Sequence, residues 1–283
     1  MQPYTIKLRG RIEIIDHPWV MGILNVTNDS FYGGSRAFDE EAVATRVRTL
    51  LDEGVDVIDV GACSTRPGCE CIVAEEERRR LDMGMRVLRS IDASVPVSVD
   101  TFRADIARHC VEDLGVDIIN DISGASDPAM ARTVAELGVP YVLMHMRGTP
   151  ADMQQHTEYG ADVVASVLTE MSHSYERLVC AGVGDIIIDP GFGFAKTMEQ
   201  NYELMRRLDA FAVFGRPIFV GISRKSMLTR LLDISVDDAL CATTALNTMA
   251  LERGAAILRV HDVRAAKQAV AIYEAVHGRP RNT

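Results

Sequence analysis

No stretch of this chain approaches the ~18 consecutive apolar residues that a membrane-spanning helix requires. Its opening residues, MQPYTIKLRGRIEI, alternate polar and apolar and lack the apolar block of a secretory signal. A soluble, cytoplasmic chain is expected. Surplus positive charge is missing too. Forty acidic against 30 basic residues leave a net charge of −10, which argues against a general nucleic-acid or anionic-membrane surface. A small anionic substrate stays open, because a few local arginines override the mean. The six cysteines, Cys63, Cys69, Cys71, Cys110, Cys180 and Cys241, are irregularly spaced, so no disulfide framework is expected. Cys63, Cys69 and Cys71 lie close together, but they lack the usual spacing of zinc-binding pairs and have no histidine in their segment. Reduced thiols in a loop are expected there. No low-complexity segment or charge run divides the 283 residues.

What is present is enough apolar material, 47% of the chain, for one large core. A single domain over 1–283 is expected, slightly larger than the roughly 250 residues of a (β/α)8 barrel. Eight short apolar, β-branched runs recur: VMGILNV (20–26), VDVIDVG (55–61), PVSVDT (96–101), DIINDIS (117–123), YVLMHM (141–146), DIIIDPG (185–191), PIFVGIS (217–223) and AAILRVHD (255–262). Buried parallel strands have this character. Between them the period lengthens to that of helices. From Asp39 to Glu53, Val43, Val47, Leu50 and Leu51 share a face, with Asp39 as N-cap and Gly54 as the stop. Residues 102–114 repeat the pattern, and so do 161–181, which Gly182 ends. Eight strand–helix alternations predict parallel βαβ units closed into an α/β (β/α)8 TIM barrel, with a doubly wound open sheet as the alternative. The leading TIKLRG and RIEIID read as a short β-hairpin plugging the barrel floor.

In such barrels the active site lies at the C-terminal ends of the strands, and here nearly every run ends in polar residues. They include Asn25, Arg66, Asp100, Asn120 with Asp121, His145 with Arg147, Asp189, Ser223 with Lys225, and Arg259 with His261 and Asp262. One shared polar pocket accounts for them better than eight separate structural roles. Asp100, Asn120 and Asp189 sit deep in apolar runs and need partners, because an unpaired buried charge is costly. A heterocycle with N–H donors would satisfy them. Arg66, Arg259 and His261 follow the runs flanking the first strand. With Asn25 they predict a cationic corner suited to diphosphate. Each residue also has an ordinary alternative. Asp189 would shape a turn before Pro190-Gly191, Arg66 would form a surface ion pair, His261 would bond backbone in the core, and Lys225 would be solvated charge.

These residues fall in segments that resemble the signatures of the dihydropteroate synthase family. They are MGILNVTNDSF (21–31), ACSTRPG (62–68), VSVDT (97–101), INDISG (119–124), LMHMRGTP (143–150), IIDPGFGFAKT (187–197), GISRKSML (221–228) and ILRVHDV (257–263), in the family's order. The resemblance implies a TIM barrel, usually a homodimer. It implies condensation of 6-hydroxymethyl-7,8-dihydropterin diphosphate with 4-aminobenzoate, giving dihydropteroate and diphosphate, with Mg2+ bound beside the diphosphate. Carried over, Asp100, Asn120 and Asp189 hold the pterin, Lys225 lies on its carbonyl or ring-nitrogen side and Met144 packs on it. Asn25 ligates Mg2+. Asn25, Arg66, Arg259 and His261 bind the diphosphate. Thr65, Pro67, Gly193, Phe194, Ser223 and Lys225 form the aminobenzoate pocket, where sulfonamides compete in this family. The chain departs from the family's usual residues at Asn28, Cys63, Ala195 and Tyr32-Gly33-Gly34.

The implied chemistry is an SN1-like displacement through a pterin cation, without a covalent enzyme adduct. Two rivals stay in view. A corrinoid-linked methyltransferase binding methyltetrahydrofolate shares the barrel and its Asp/Asn anchors, but has no diphosphate to hold with STRPG and SRK. A non-catalytic pterin-binding barrel would draw its support from the altered first two loops.

Overall fold

In the computed structural model the described residues are 3–27, 36–63 and 72–278, with 36–39 described by backbone alone. The eight expected runs form eight parallel strands. These are β3 (Trp19–Asn25), β4 (Val57–Gly61), β5 (Val97–Asp100), β6 (Ile118–Asp121), β7 (Tyr141–Met144), β8 (Ile186–Asp189), β9 (Ile218–Val220) and β10 (Ala255–Val260). They close in the order β10-β3-β4-β5-β6-β7-β8-β9, which rules out the open sheet. Helices α1 (Arg36–Asp52), α2 (Ala74–Ile91), α3 (Ala104–Glu112), α4 (Met130–Leu137), α5 (Val163–Ala181), α6 (Met198–Arg206), α7 (Ser226–Leu232), α8 (Leu240–Glu252) and α9 (Val263–Val276) alternate with them. Among the described residues no helix is long and apolar enough to cross a membrane.

Helix ends follow local chemistry, with two corrections. The first helix begins at Arg36, so Asp39 lies one turn inside it rather than at its N-cap. The helix expected over 102–114 is shorter, and Asp127, in the loop after β6, accepts from its first amide, Ala104 N, at 2.9 Å. The stop expected at Gly182 holds, and the structure adds caps not read from the sequence. Asp162 caps α5 by accepting from Ala165 N, and Gly182 ends it at φ 95°. Thr197 and Gln200 form a reciprocal capping box that starts α6.

Alternation along each strand sorts the core into two parts. Outward residues such as Leu24, Ile58, Val99, Ile188 and Leu258 pack under the helices. Inward residues at the strands' N-terminal ends, among them Met21, Val57, Ile118, Ile187 and Phe219, form a separate apolar layer. The hairpin of β1 (Tyr4–Leu8) and β2 (Arg11–Ile15) seals that layer with Ile6, Leu8 and Ile15. Each is almost fully buried, worth about 1.5–3 kcal/mol apiece. The plug is also pinned by polar contacts. Arg9 donates twice to Asp117, at 2.7 and 2.9 Å, and Lys7 N donates to Asp185 at 2.9 Å.

Candidate active site

Two residues further along the same strands, the inward positions turn polar. The register aligns Asn25, Gly61, Asp100 and Asn120 as neighbours across four strands, and Met144 beside Asp189. Gly61 leaves an open place in this row. A Cβ there would lie 3.6 Å from both Asn25 Oδ1 and Asp100 Cβ. Side chains from distant parts of the chain thus meet at one barrel mouth.

The most connected group centres on Arg259. Its Nε donates to Asp59 Oδ2 at 2.6 Å, and its Nη2 donates to Asp100 Oδ2 at 3.0 Å. Asn120 Nδ2 donates to the same Asp59 oxygen at 3.2 Å. Burial raises the Asp100 pKa to about 7, with Arg259 opposing and Asp59 reinforcing the rise. Arg259 is held charged by the two carboxylates despite its own burial. Asp59 was missed in the sequence reading. It stands on the inward parity of VDVIDVG, mid-run, the same signal that singled out Asp100 and Asn120. Asp59 Oδ1, Ser98 Oγ and Asn120 Oδ1 are buried without a hydrogen-bond partner, so this wall offers unsatisfied acceptors to a ligand.

Facing them is the loop after β8. Asp189 Oδ1 accepts from Gly191 N at 2.8 Å, so the carboxylate does shape the turn, as the ordinary reading held. Burial raises its pKa, opposed first by Lys225. Lys225 is no solvated surface charge. Its Nζ donates to Phe192 O and lies 4.4 Å from the centre of the Phe194 ring. Burial lowers its pKa to about 8. Gly193, at φ 81°, admits the Lys225 stem, which a Cβ would meet at 3.0 Å. Met144 and Phe194 join Ile122, Met153 and Ala195 in a small apolar cluster. Ala195, one of the departures from the family's usual residue, holds φ 51°, a conformation in which glycine is unstrained.

The third group is Ser223 with His261. Ser223 Oγ lies 3.0 Å from His261 Nδ1 and accepts from His261 N at 3.2 Å. Arg46 donates to the His261 carbonyl.

The expected cationic corner differs from what these side chains form. Arg259 turns into the barrel against two carboxylates. His261 is neutral at pH 7, because burial and then the nearby arginines lower its pKa to about 4. Thr65, Arg66 and Pro67 lie outside the described residues, as do Asn28, Tyr32-Gly33-Gly34, Cys69 and Cys71. Other rim residues serve structure instead. Asp121 points outward and accepts from Tyr141 Oη and Ser123 N. Asp262 pairs with Arg224 at 2.7 and 3.0 Å. Arg147 pairs with Glu170.

The barrel mouth combines buried acceptors, a lysine beside an aromatic ring and an inward arginine, the lining of a polar pocket in an α/β-barrel enzyme. The chain matches the family described as pterin binding enzyme over residues 21–261 and belongs to it, among the dihydropteroate synthases. It is 38% identical to the dihydropteroate synthase of Escherichia coli over 265 residues, 92% of each chain. A probable bifunctional folylpolyglutamate synthase/dihydropteroate synthase of Haloferax volcanii is 42% identical over 88% of this chain, which spans only 30% of that longer protein. The Xanthomonas albilineans dihydropteroate synthase solved with 4-aminobenzoic acid superposes with a TM-score of 0.90 at 36% identity, covering 99% of this chain and all of the other.

Proposed function

We propose that the chain is a dihydropteroate synthase. It condenses 6-hydroxymethyl-7,8-dihydropterin diphosphate with 4-aminobenzoate and releases diphosphate and 7,8-dihydropteroate. The observation that carries this reading is the wall of unsatisfied acceptors beside the Asp100–Arg259–Asp59 group. A pterin edge supplies the N–H donors that these oxygens lack. In this reading Asp100, Asn120 and Asp189 hold the pterin, Lys225 donates to its carbonyl side and Met144 packs on its face. Gly193, Phe194 and Ser223, with Thr65 and Pro67, bound the aminobenzoate, where sulfonamides compete.

The aminobenzoate amine is already nucleophilic, so the protein's task is the leaving group. The C–O bond to diphosphate breaks first and its electron pair leaves with the diphosphate. The amine then attacks the pterin methylene carbon and sheds a proton. Buried carboxylates at Asp189 and Asp100 favour the cationic pterin between these events. Arg259 and Arg66 attract the departing charge, and neutral His261 hydrogen-bonds it. Asn25 suits Mg2+ as one hard oxygen donor at the exposed rim, since this ion takes few protein ligands and completes its shell with phosphate oxygens and water. When bound, the ion would neutralise charge on the diphosphate. The apolar side chains that α7, α8 and α9 leave exposed, notably Leu231, Leu232, Met249, Ile272 and Val276, support a homodimer in this reading. Light scattering should read twice the 31.1 kDa chain mass, and a monomer would remove this part.

The test is turnover of the two substrates, with dihydropteroate and diphosphate appearing in equal amounts. A chain that binds the pterin diphosphate but never releases diphosphate would be the non-catalytic barrel. A trapped covalent pterin–enzyme species would refute the displacement without an adduct.

A further inference from the structure

Lys196 is the most deeply buried ammonium near the mouth, with 3% of its surface exposed, and no role assigned above uses it. Its Nζ donates to Gly191 O at 2.9 Å, to Phe194 O at 3.0 Å and to His145 Nδ1 at 3.0 Å. Gly191 and Phe194 belong to the loop that starts at Asp189, whereas His145 follows β7. The loop needs such a tie. Gly191, Gly193 and Ala195 all have positive φ, and a side chain at Gly191 would place Cβ 1.9 Å from the His145 carbonyl oxygen. The two segments therefore touch backbone to backbone, and the ammonium fills the space between their carbonyls. On the other side of His145, Nε2 lies 3.1 Å from Glu170 Oε2, and Glu170 pairs with Arg147. Burial and then Lys196 lower the His145 pKa to about 4, so it is neutral at pH 7. With Nδ1 accepting from Lys196, the proton sits on Nε2 and is donated to Glu170.

We infer that Lys196 is a positioning residue for the condensation: it fixes the 189–196 loop so that Asp189 and Phe194 face the mouth, and its charge keeps Asp189 an acceptor. The inference rests on the reading that Asp189 holds the pterin. Lys196 hydrogen-bonds His145 and feels the charges of Asp189 on β8, Arg147 in the segment after β7, Glu170 on α5 and Lys225 in the segment after β9. Asp189 in turn feels the charges of Lys225, Lys196 and Arg259. Lys196 thus faces a nearby carboxylate but sits among other cations, and burial brings its pKa down to about 7. Removing it takes two donor contacts from the Asp189 loop, a third from His145, and one positive charge. A more readily protonated Asp189 accepts from the pterin only at higher pH.

The experiment measures affinity for the pterin diphosphate by calorimetry from pH 5.5 to 9 in wild type, Lys196→Met and Lys196→Gln. In Lys196→Met the affinity at pH 7 should fall about tenfold, roughly 1.4 kcal/mol. The acid-side loss of affinity should move to higher pH. Lys196→Gln keeps a donor without the charge, so it should show the same displacement with a smaller loss at high pH, and it decides the matter if the Met variant does not fold. Wild-type affinity with an unmoved acid limb overturns the inference. So does a uniform loss at every pH, which is what a purely structural lysine would produce. A wild-type chain that binds no pterin diphosphate instead removes the reading of Asp189, before any variant is compared.

Discussion

The two ends of the barrel interior are built on the same strands, two residues apart, and obey opposite rules. At the floor, Val57, Ile118, Ile187 and Ile257 form a dry layer closed by the hairpin. At the mouth their successors on the same faces are Asp59, Asn120, Asp189 and Arg259, buried but with unsatisfied acceptors and shifted protonation. The floor is closed by its own packing, whereas the mouth keeps buried polar atoms without a partner. Stability and chemistry are therefore separated by about one step of strand pleat, roughly 6.6 Å along the chain.

Ile187 and Asp189 allow the sharpest comparison, since they share a strand and a face. Ile187→Ala should lower stability by about 2–5 kcal/mol in chemical denaturation, while each folded molecule keeps its turnover. Loss of turnover in the folded fraction would show that the two layers are coupled. Asp189→Ala should do the reverse, with pterin affinity lost by about a hundredfold or more, roughly 3 kcal/mol, and the melting temperature unchanged or higher. Near-normal affinity would remove the anchor.

Asp100 sharpens the contrast through pH. Its folded pKa is about 7, above the unfolded value of about 3.9. The native state therefore binds more protons between these values, and stability falls as pH rises from about 4 to about 7. Above that, the whole penalty is present. Asp100→Asn removes this slope. At pH 8 the variant should be more stable by about 1–2 kcal/mol, and it should bind pterin more weakly. A destabilised Asp100→Asn chain at pH 8 would mean that the ion pair outweighs burial. The smallest effect belongs to Ala195→Gly. Relief of the positive φ, about 1–2 kcal/mol, is offset by a lost buried methyl and a looser unfolded chain. The net change should stay within about 1 kcal/mol, and a larger loss would show that the methyl is needed by Met144 and Phe194.

Much of this was legible in the chain itself. The strand runs, the hairpin, the glycine stop at Gly182 and the polar ends of the runs are local signals, and the family signatures carry Asp100, Asn120, Asp189 and Lys225. What escaped was non-local. Asp121 and Asn120 are adjacent letters, yet one faces the helices and the other the barrel interior. Asp59 entered the site through Asn120 and Arg259, 61 and 200 positions away. Lys196 read as part of a loop motif, and its burial depends on His145, 51 positions earlier.

The sequence by itself determined which residues alternate inward and outward and where each strand stops, because those depend on side-chain period and on turn chemistry a few residues long. Only the tertiary structure decided which charges meet and which of them remain charged. His261 is neutral, Asp100 is poised near neutrality and Arg259 is clasped by two carboxylates. Protonation depends on burial and on the summed field of groups brought together from the whole chain, and no local pattern encodes that sum.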